Sequence, residues 1–171
     1  LYSKWNTITT LPFKSNEPAI NRECKWTYGQ LLSFTNYDQY YNEKYISLGG
    51  YGWSGFSVRE VAETALILAG FNPELAKSSL RWLSKAQKLN GDIPSGQDFV
   101  GGAWGSFQSD NDIWYILASM EYVVRTHDTI FLDSIIKGKY FSGTFWEHNI
   151  RAFRWVRDSI GTGQHDLILL R

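Results

Sequence analysis

From residue 57 onward apolar positions recur at helical spacing, and polar punctuation divides the pattern into segments. Ser57 opens the first as "SVRE", the capping-box order, and Gly70 closes it. Asn72 and Pro73 open a second that runs to about Asn90 and Gly91. Ser109 opens a third as "SDND", a short fourth is expected over 128–136, and Thr144 opens a fifth as "TFWE" that Gly161 ends. Upstream the pattern is weaker: 26–41 reads as helical and 1–25 as irregular or extended.

The helices are of two kinds. In 57–69 the charges Arg59, Glu60 and Glu63 sit in the first two turns, and the rest, "TALILA", is apolar. The segment 109–126 repeats this design, a polar mouth and an apolar body, which predicts burial on all sides. In 73–89 Lys77, Arg81, Lys85 and Lys88 share one face, and 144–160 likewise sets Glu147, Arg151, Arg154 and Asp158 against apolar positions. These two predict amphipathic surface helices. An inner, outer, inner, outer alternation is that of an all-α fold, a double ring of helical hairpins or α/α toroid. In such a ring the inner helices run parallel and open onto one face. Long loops rich in Gly and Trp enter them, "ISLGGYGWSGF" and "DIPSGQDFVGGAWGSFQ".

Composition narrows the chemistry. Seventeen basic residues balance seventeen acidic ones, which argues against a nucleic-acid groove or an anionic membrane surface as partner. Cys24 stands alone, and the three His show no zinc-ligand spacing, so neither a disulfide framework nor a metal cofactor is expected. No apolar run is long enough to span a membrane, no signal peptide is readable, and a cytoplasmic location is the favoured expectation. The chain starts at Leu1 and stops at "DLILLR" without a turn signal, so both ends read as cut. Aromatic residues make up 16% of the chain, eight of them Trp, interleaved with Gly, Asn and Asp. Flat faces stack on pyranose rings while polar edges take hydroxyls.

Helix N-termini favour carboxylates, because their N–H groups are free and the dipole end is positive. Arg59, Glu60, Asp110 and Asp112, walled by Trp53 and Trp104, therefore form a candidate pocket for a hydroxyl-rich ligand. Plainer roles stand beside this. Glu60 and Asp112, three residues after Ser57 and Ser109, have the spacing of capping-box acids; Arg59 is placed to pair with Glu60 or Glu63. Trp82, Trp114, Trp146 and Trp155 read as packing residues, His148 as packed or exposed on an outer helix, and His165 lies in a third, interrupted loop.

Four segments in order resemble one family. "NRECKWTYGQLLSFTNYDQYYNEKYISLGG", "SVREVAETALILAGFNPELAKSSLRWLSKAQKLNGDIP", "QSDNDIWYILASMEYVVRTHDTIFLD" and "GTFWEHNIRAFRWVRDSIGTGQHDLILL" resemble glycoside hydrolase family 94-like proteins, the cellobiose and chitobiose phosphorylases and relatives often labelled family 36-type. The resemblance runs from about residue 21 to the end. It implies an (α/α)6 barrel, with residues 26–171 supplying roughly its N-terminal half after a lead-in over 1–25. It also implies inverting cleavage of a glycosidic bond in an oligosaccharide, by phosphate as co-substrate or by water, and homodimerisation of the full-length protein is among the expectations. Arg59, Glu60 and Asp110 would hold sugar hydroxyls. The family's general acid, an Asp in a "DW-N/S-D" motif, would fall beyond residue 171, leaving this chain alone inactive. Glu60 stands where the family has Asp, and Asp166 where it has Gly. The alternatives are a non-catalytic carbohydrate-binding helical domain and another toroid enzyme such as a polysaccharide lyase, whose uronate substrate an acidic mouth would repel.

Overall fold

The computed structural model describes residues 14–46, 56–97, 103–104 and 110–160, and the chain is mostly helical over them. Helix α1, Pro18–Ser33, carries Pro at its start and ends at Phe34, so it lies eight residues upstream of the helix expected over 26–41. The chain then turns into a β-hairpin: β1, Thr35–Asp38, pairs antiparallel with β2, Glu43–Ile46. The turn is set by Asp38, whose Oδ1 accepts from the amides of Tyr40 and Tyr41 at 2.9 and 3.0 Å, and by Asn42 in the left-handed region.

Helices α2, Val58–Leu68, and α3, Pro73–Ala86, form an antiparallel pair, with Asn72 capping α3 through its side chain. Helix α4, Asn111–Thr126, runs parallel to α2. Arg59 and Asp110 meet at the two N-terminal ends, and Gly70 lies against the Arg125 guanidinium at the two C-terminal ends. It runs antiparallel to α3, since Ser84 near the end of α3 meets Tyr115 near the start of α4, and Lys77 meets Asp128 at the opposite end. His127 supplies the left-handed residue that stops α4.

The segment expected to be helical over 128–136 is a 3-10 turn, Thr129–Asp133, followed by β6, Ile135–Lys137. Asp128 caps the turn at Phe131, and the β-branched pair Ile135 and Ile136 then joins β7, Ser142–Thr144. Helix α5, Phe145–Trp155, starts with the expected capping box of Thr144 and Glu147 and loosens into a π-helical turn over Val156–Ile160. It lies antiparallel to α4: Phe145 stacks on Phe131, Asn149 reaches Tyr115, and Arg151 lies against Gly91.

Two burial expectations are corrected. Helix α3 is no surface helix; Trp82, Leu80, Leu83 and Ser84 are fully enclosed. The hairpin covers its outer side, and Glu43, itself 6% exposed, accepts two bonds from Arg81 and one each from Lys85 and Ser78. The basic face is thus neutralised by a buried carboxylate. Conversely α4 is not buried on all sides. Leu117, Met120 and Val124, spaced by three and four residues, face outward, as do Ile67 and Phe71 at the end of α2, because α2, α3 and α5 cover only the other faces. Trp146, expected to pack, is 46% exposed; Trp114 packs against the core, and Trp155 is half-buried.

His148, whose sequence position left packing and exposure on an outer helix both open, is enclosed. Gln87 donates its amide N–H groups to the carbonyls of Gly91 and His148, so its Oε1 accepts from His148 Nδ1 at 2.8 Å. Burial pushes the imidazole pKa down to about 4, against the pull of the Ile136 carbonyl. The unfolded chain therefore binds the proton first, and the stability that a neutral His148 contributes is complete above pH 6.5 and declines as pH falls toward 4. The expected slope is up to about 1.4 kcal/mol per pH unit. Asp112 acts in the opposite sense over the same window, so the test is the difference between variant and wild type. The melting temperature of His148→Asn, which retains a donor toward Gln87, is expected to change relative to wild type between pH 6.5 and 4; a pH-independent difference would remove His148 as a cause.

Candidate functional site

A three-stranded sheet joins the two parallel helix starts. Strand β3, Phe56–Ser57, runs directly into α2; β4, Gly96–Gln97, pairs with β3 on one side and with β5, Ala103–Trp104, on the other. The Val58 amide donates to the Ser95 carbonyl at 3.0 Å, extending the same stitching. Residues 92–97 thus form a strap across the end at which α2 and α4 begin.

The sequence placed four charged residues at this end, and the fold brings them there. Arg59 Nη1 donates to Asp110 Oδ2 at 2.9 Å, with the two side chains 41% and 31% exposed. Arg59 thus pairs across the helices, and not with Glu60 or Glu63. Asp110 immediately precedes α4 but makes no side-chain cap bond, so its carboxylate is directed to Arg59. Ser57 likewise makes no side-chain cap bond, so the capping box expected with Glu60 is not formed. Glu60 instead buries Oε2 without a hydrogen-bond partner.

Asp112 differs from these three. It is fully enclosed, and its Oδ1 accepts from the Ile93 amide at 3.0 Å while Oδ2 has no partner. It therefore does not face solvent, which corrects its assignment as a direct ligand contact. Burial first, and the neighbouring Asp92 second, push its pKa up to about 8, with Lys88 acting the other way. Lys88 in turn holds Asp92 at 2.6 Å.

Trp104 lies on the edge strand β5, opposite Gly96. Trp53, Ser109 and His165 lie outside the described residues, as do the first entry loop over 47–55 and the third over 161–171. Sequence reasoning missed Asn111, the first residue of α4. It is enclosed, with Oδ1 unpartnered and Nδ2 3.4 Å from Ser95 Oγ. Its place between two acids in "SDND" at a helix start is the signal the sequence carries for it.

Chemically, this end offers one cation engaged with one carboxylate and, at Glu60, a buried acceptor oxygen that lacks a donor. A ligand suited to it donates hydrogen bonds, as a polyol does, because a buried unpaired acceptor is costly until a donor reaches it. Among the described residues no cluster of His, Cys, Asp and Glu is arranged to hold a metal, and no helix is long and apolar enough to cross a membrane. An open groove of about 420 Å³ lined by Thr129, Ile130, Leu132, Asp133 and Trp146 lies toward the opposite end of α4 and shares no residue with this site. The sequence matches no protein-family model, and no curated protein matches it.

Proposed function

We propose that the common end of α2 and α4 is the sugar-binding mouth of an α/α-hairpin carbohydrate-active domain, part of an enzyme that cleaves a glycosidic bond with inversion, by phosphorolysis or hydrolysis. The observation that carries the reading is the half-exposed Arg59–Asp110 pair bridging two parallel helix starts, with an unpartnered Glu60 oxygen on the same first turn of α2 as Arg59. The layering supports it as well: α2 and α4 run one way, α3 and α5 the other, as successive hairpins of a toroid do.

In this reading Arg59, Glu60 and Asp110 hold sugar hydroxyls and none is the proton donor. Inversion needs an acid at the glycosidic oxygen and a phosphate or base-activated water at the opposite face of the anomeric carbon. Inorganic phosphate would be co-substrate in the first case, and no further cofactor is called for.

Calorimetric titration with glucose, galactose and mannose derivatives tests the proposal, through two substitutions at Glu60. Glu60→Gln keeps the shape and removes the charge. It is expected to weaken sugar binding at least tenfold, about 1.4 kcal/mol, with the melting temperature nearly unchanged. Glu60→Asp keeps the charge and shortens the reach, so it is expected to shift the preference among epimers more than the overall affinity. If both variants bind like wild type and only lose stability, Glu60 is structural and the site reduces to Arg59 and Asp110. Absence of binding by the wild-type protein to any of these sugars refutes the reading, and binding without turnover by the complete protein makes it a carbohydrate-binding domain.

A further inference from the structure

We propose that Asp112 is a positioning residue whose carboxyl latches the strap over residues 92–97 onto the first turn of α4, and thereby sets where Arg59 and Asp110 meet. The strap is bonded to both helix starts at once. On the α2 side it holds Val58 through Ser95 and pairs β4 with β3. On the α4 side the Ile93 amide bonds Asp112 Oδ1 at 3.0 Å, and Asn111 adds only a long contact to Ser95. Asp112 has no exposed surface, so it acts on the mouth through Ile93 and not by touching a ligand.

The latch is sensitive to ionisation by construction. Asp112 Oδ2 is enclosed without a partner, an arrangement that suits a neutral carboxyl far better than a carboxylate. The groups that bear on it are Asp92 on the strap, Lys88 beyond the end of α3, the Ile93 amide, and Tyr115 on its own helix. Desolvation and Asp92 outweigh the Ile93 amide, the Asp112 amide and Lys88, so the carboxyl keeps its proton up to about pH 8. The folded state thus holds a proton that the unfolded state releases near pH 3.8. The stability this gives is largest in acid and is lost as pH rises toward 8. Above that, the carboxylate is repelled by Asp92 while its bond to the Ile93 amide strengthens, so the strap resets around the new charge.

Only the use of the latch for a ligand rests on the sugar-binding reading; the latch itself is testable without any sugar. Amide shifts of Ile93 and Val58 and the Arg59 Nε shift, followed by nuclear magnetic resonance from below to above the Asp112 pKa, report it directly. In the wild-type protein all three are expected to titrate together with a midpoint near 8. Asp112→Asn keeps an acceptor oxygen for Ile93 and cannot ionise, so all three signals should stay at their low-pH positions throughout. Asp112→Ala removes the acceptor and should displace all three at every pH; if that variant does not fold, the wild type and Asp112→Asn still decide. The proposal is overturned if Ile93 does not titrate in the wild type, if its titration persists in Asp112→Asn, or if Ile93 titrates while Val58 and Arg59 do not.

Discussion

Trp82→Ala is expected to destabilise the protein by about 3–5 kcal/mol, the range for emptying a large aromatic site in a packed core. Trp82 is wholly enclosed on α3 and stacks on Tyr45 of β2, ring centroids 4.3 Å apart and planes within 13°. Its Nε1 donates to Asp38 Oδ2 at 2.7 Å, and the other oxygen of Asp38 holds the hairpin turn. Truncation therefore opens a cavity, unstacks Tyr45 and strands a buried carboxylate oxygen, and the last effect alone costs about 1–3 kcal/mol. Against a total of about 5–15 kcal/mol for a domain, such a loss leaves little margin. Trp82→Phe separates the terms, since it fills much of the space but lacks the donor. Urea unfolding midpoints for the two variants measure both; a loss below about 1 kcal/mol for Trp82→Ala would contradict the packing described.

On the proposed sugar-binding reading, Asp110→Asn is expected to lower sugar binding by about 100-fold, roughly 2.7 kcal/mol. A hydrogen bond to a charged group accounts for most of this. The remainder comes from Arg59, which loses its counter-charge and its fixed position. Stability should change little, because half-exposed ion pairs are screened and contribute about 0–1 kcal/mol. Asp112→Asn, which preserves the acceptor for Ile93, should alter binding at neutral pH by less than about threefold, under 1 kcal/mol. Equal small effects of the two substitutions on binding, with equal losses of melting temperature, would make both residues structural.

The helical half of the molecule was readable from periodicity and caps. Thr144 and Glu147 form the capping box their spacing announced, and Asn72 with Pro73 starts a helix as written. The antiparallel pairing of successive helices was read as well, although the inner and outer burial expected of them was not met by α3 and α4. Burial was less readable, because it depends on what lies outside each helix. Arg81 and Lys85 look like a solvated face until Glu43, some forty residues upstream, is seen to cover them. The hairpin itself was hidden, since "TNYDQYYNEKYI" has no Gly at its turn and Asp38 and Asn42 supply the turn chemistry instead. At the mouth the meeting of Arg59 with Asp110 follows from parallel helix starts. The division of labour between Asp110 and Asp112 does not, because Asp112, two residues on and turned to another side of the helix start, is enclosed and bonded by the strap while Asp110 is not.

Gly91 stands at the root of that strap with φ at +103°, and a Cβ there would fall 2.5 Å from the Arg151 carbonyl oxygen. The root is thus moulded on the backbone of α5, sixty residues further along the chain. Before α5 docks, Gly91 has no surface to lie against, and Gln87 has no His148 carbonyl to bind. Loops closed over such distances form late in folding, after the entropy of closure has been met. The hairpin of α2 and α3 can assemble from near neighbours, whereas the mouth at the start of α2 and α4 takes its final shape only once the most distant helix has arrived. Weakening the strap should then speed unfolding and leave the folding rate almost untouched.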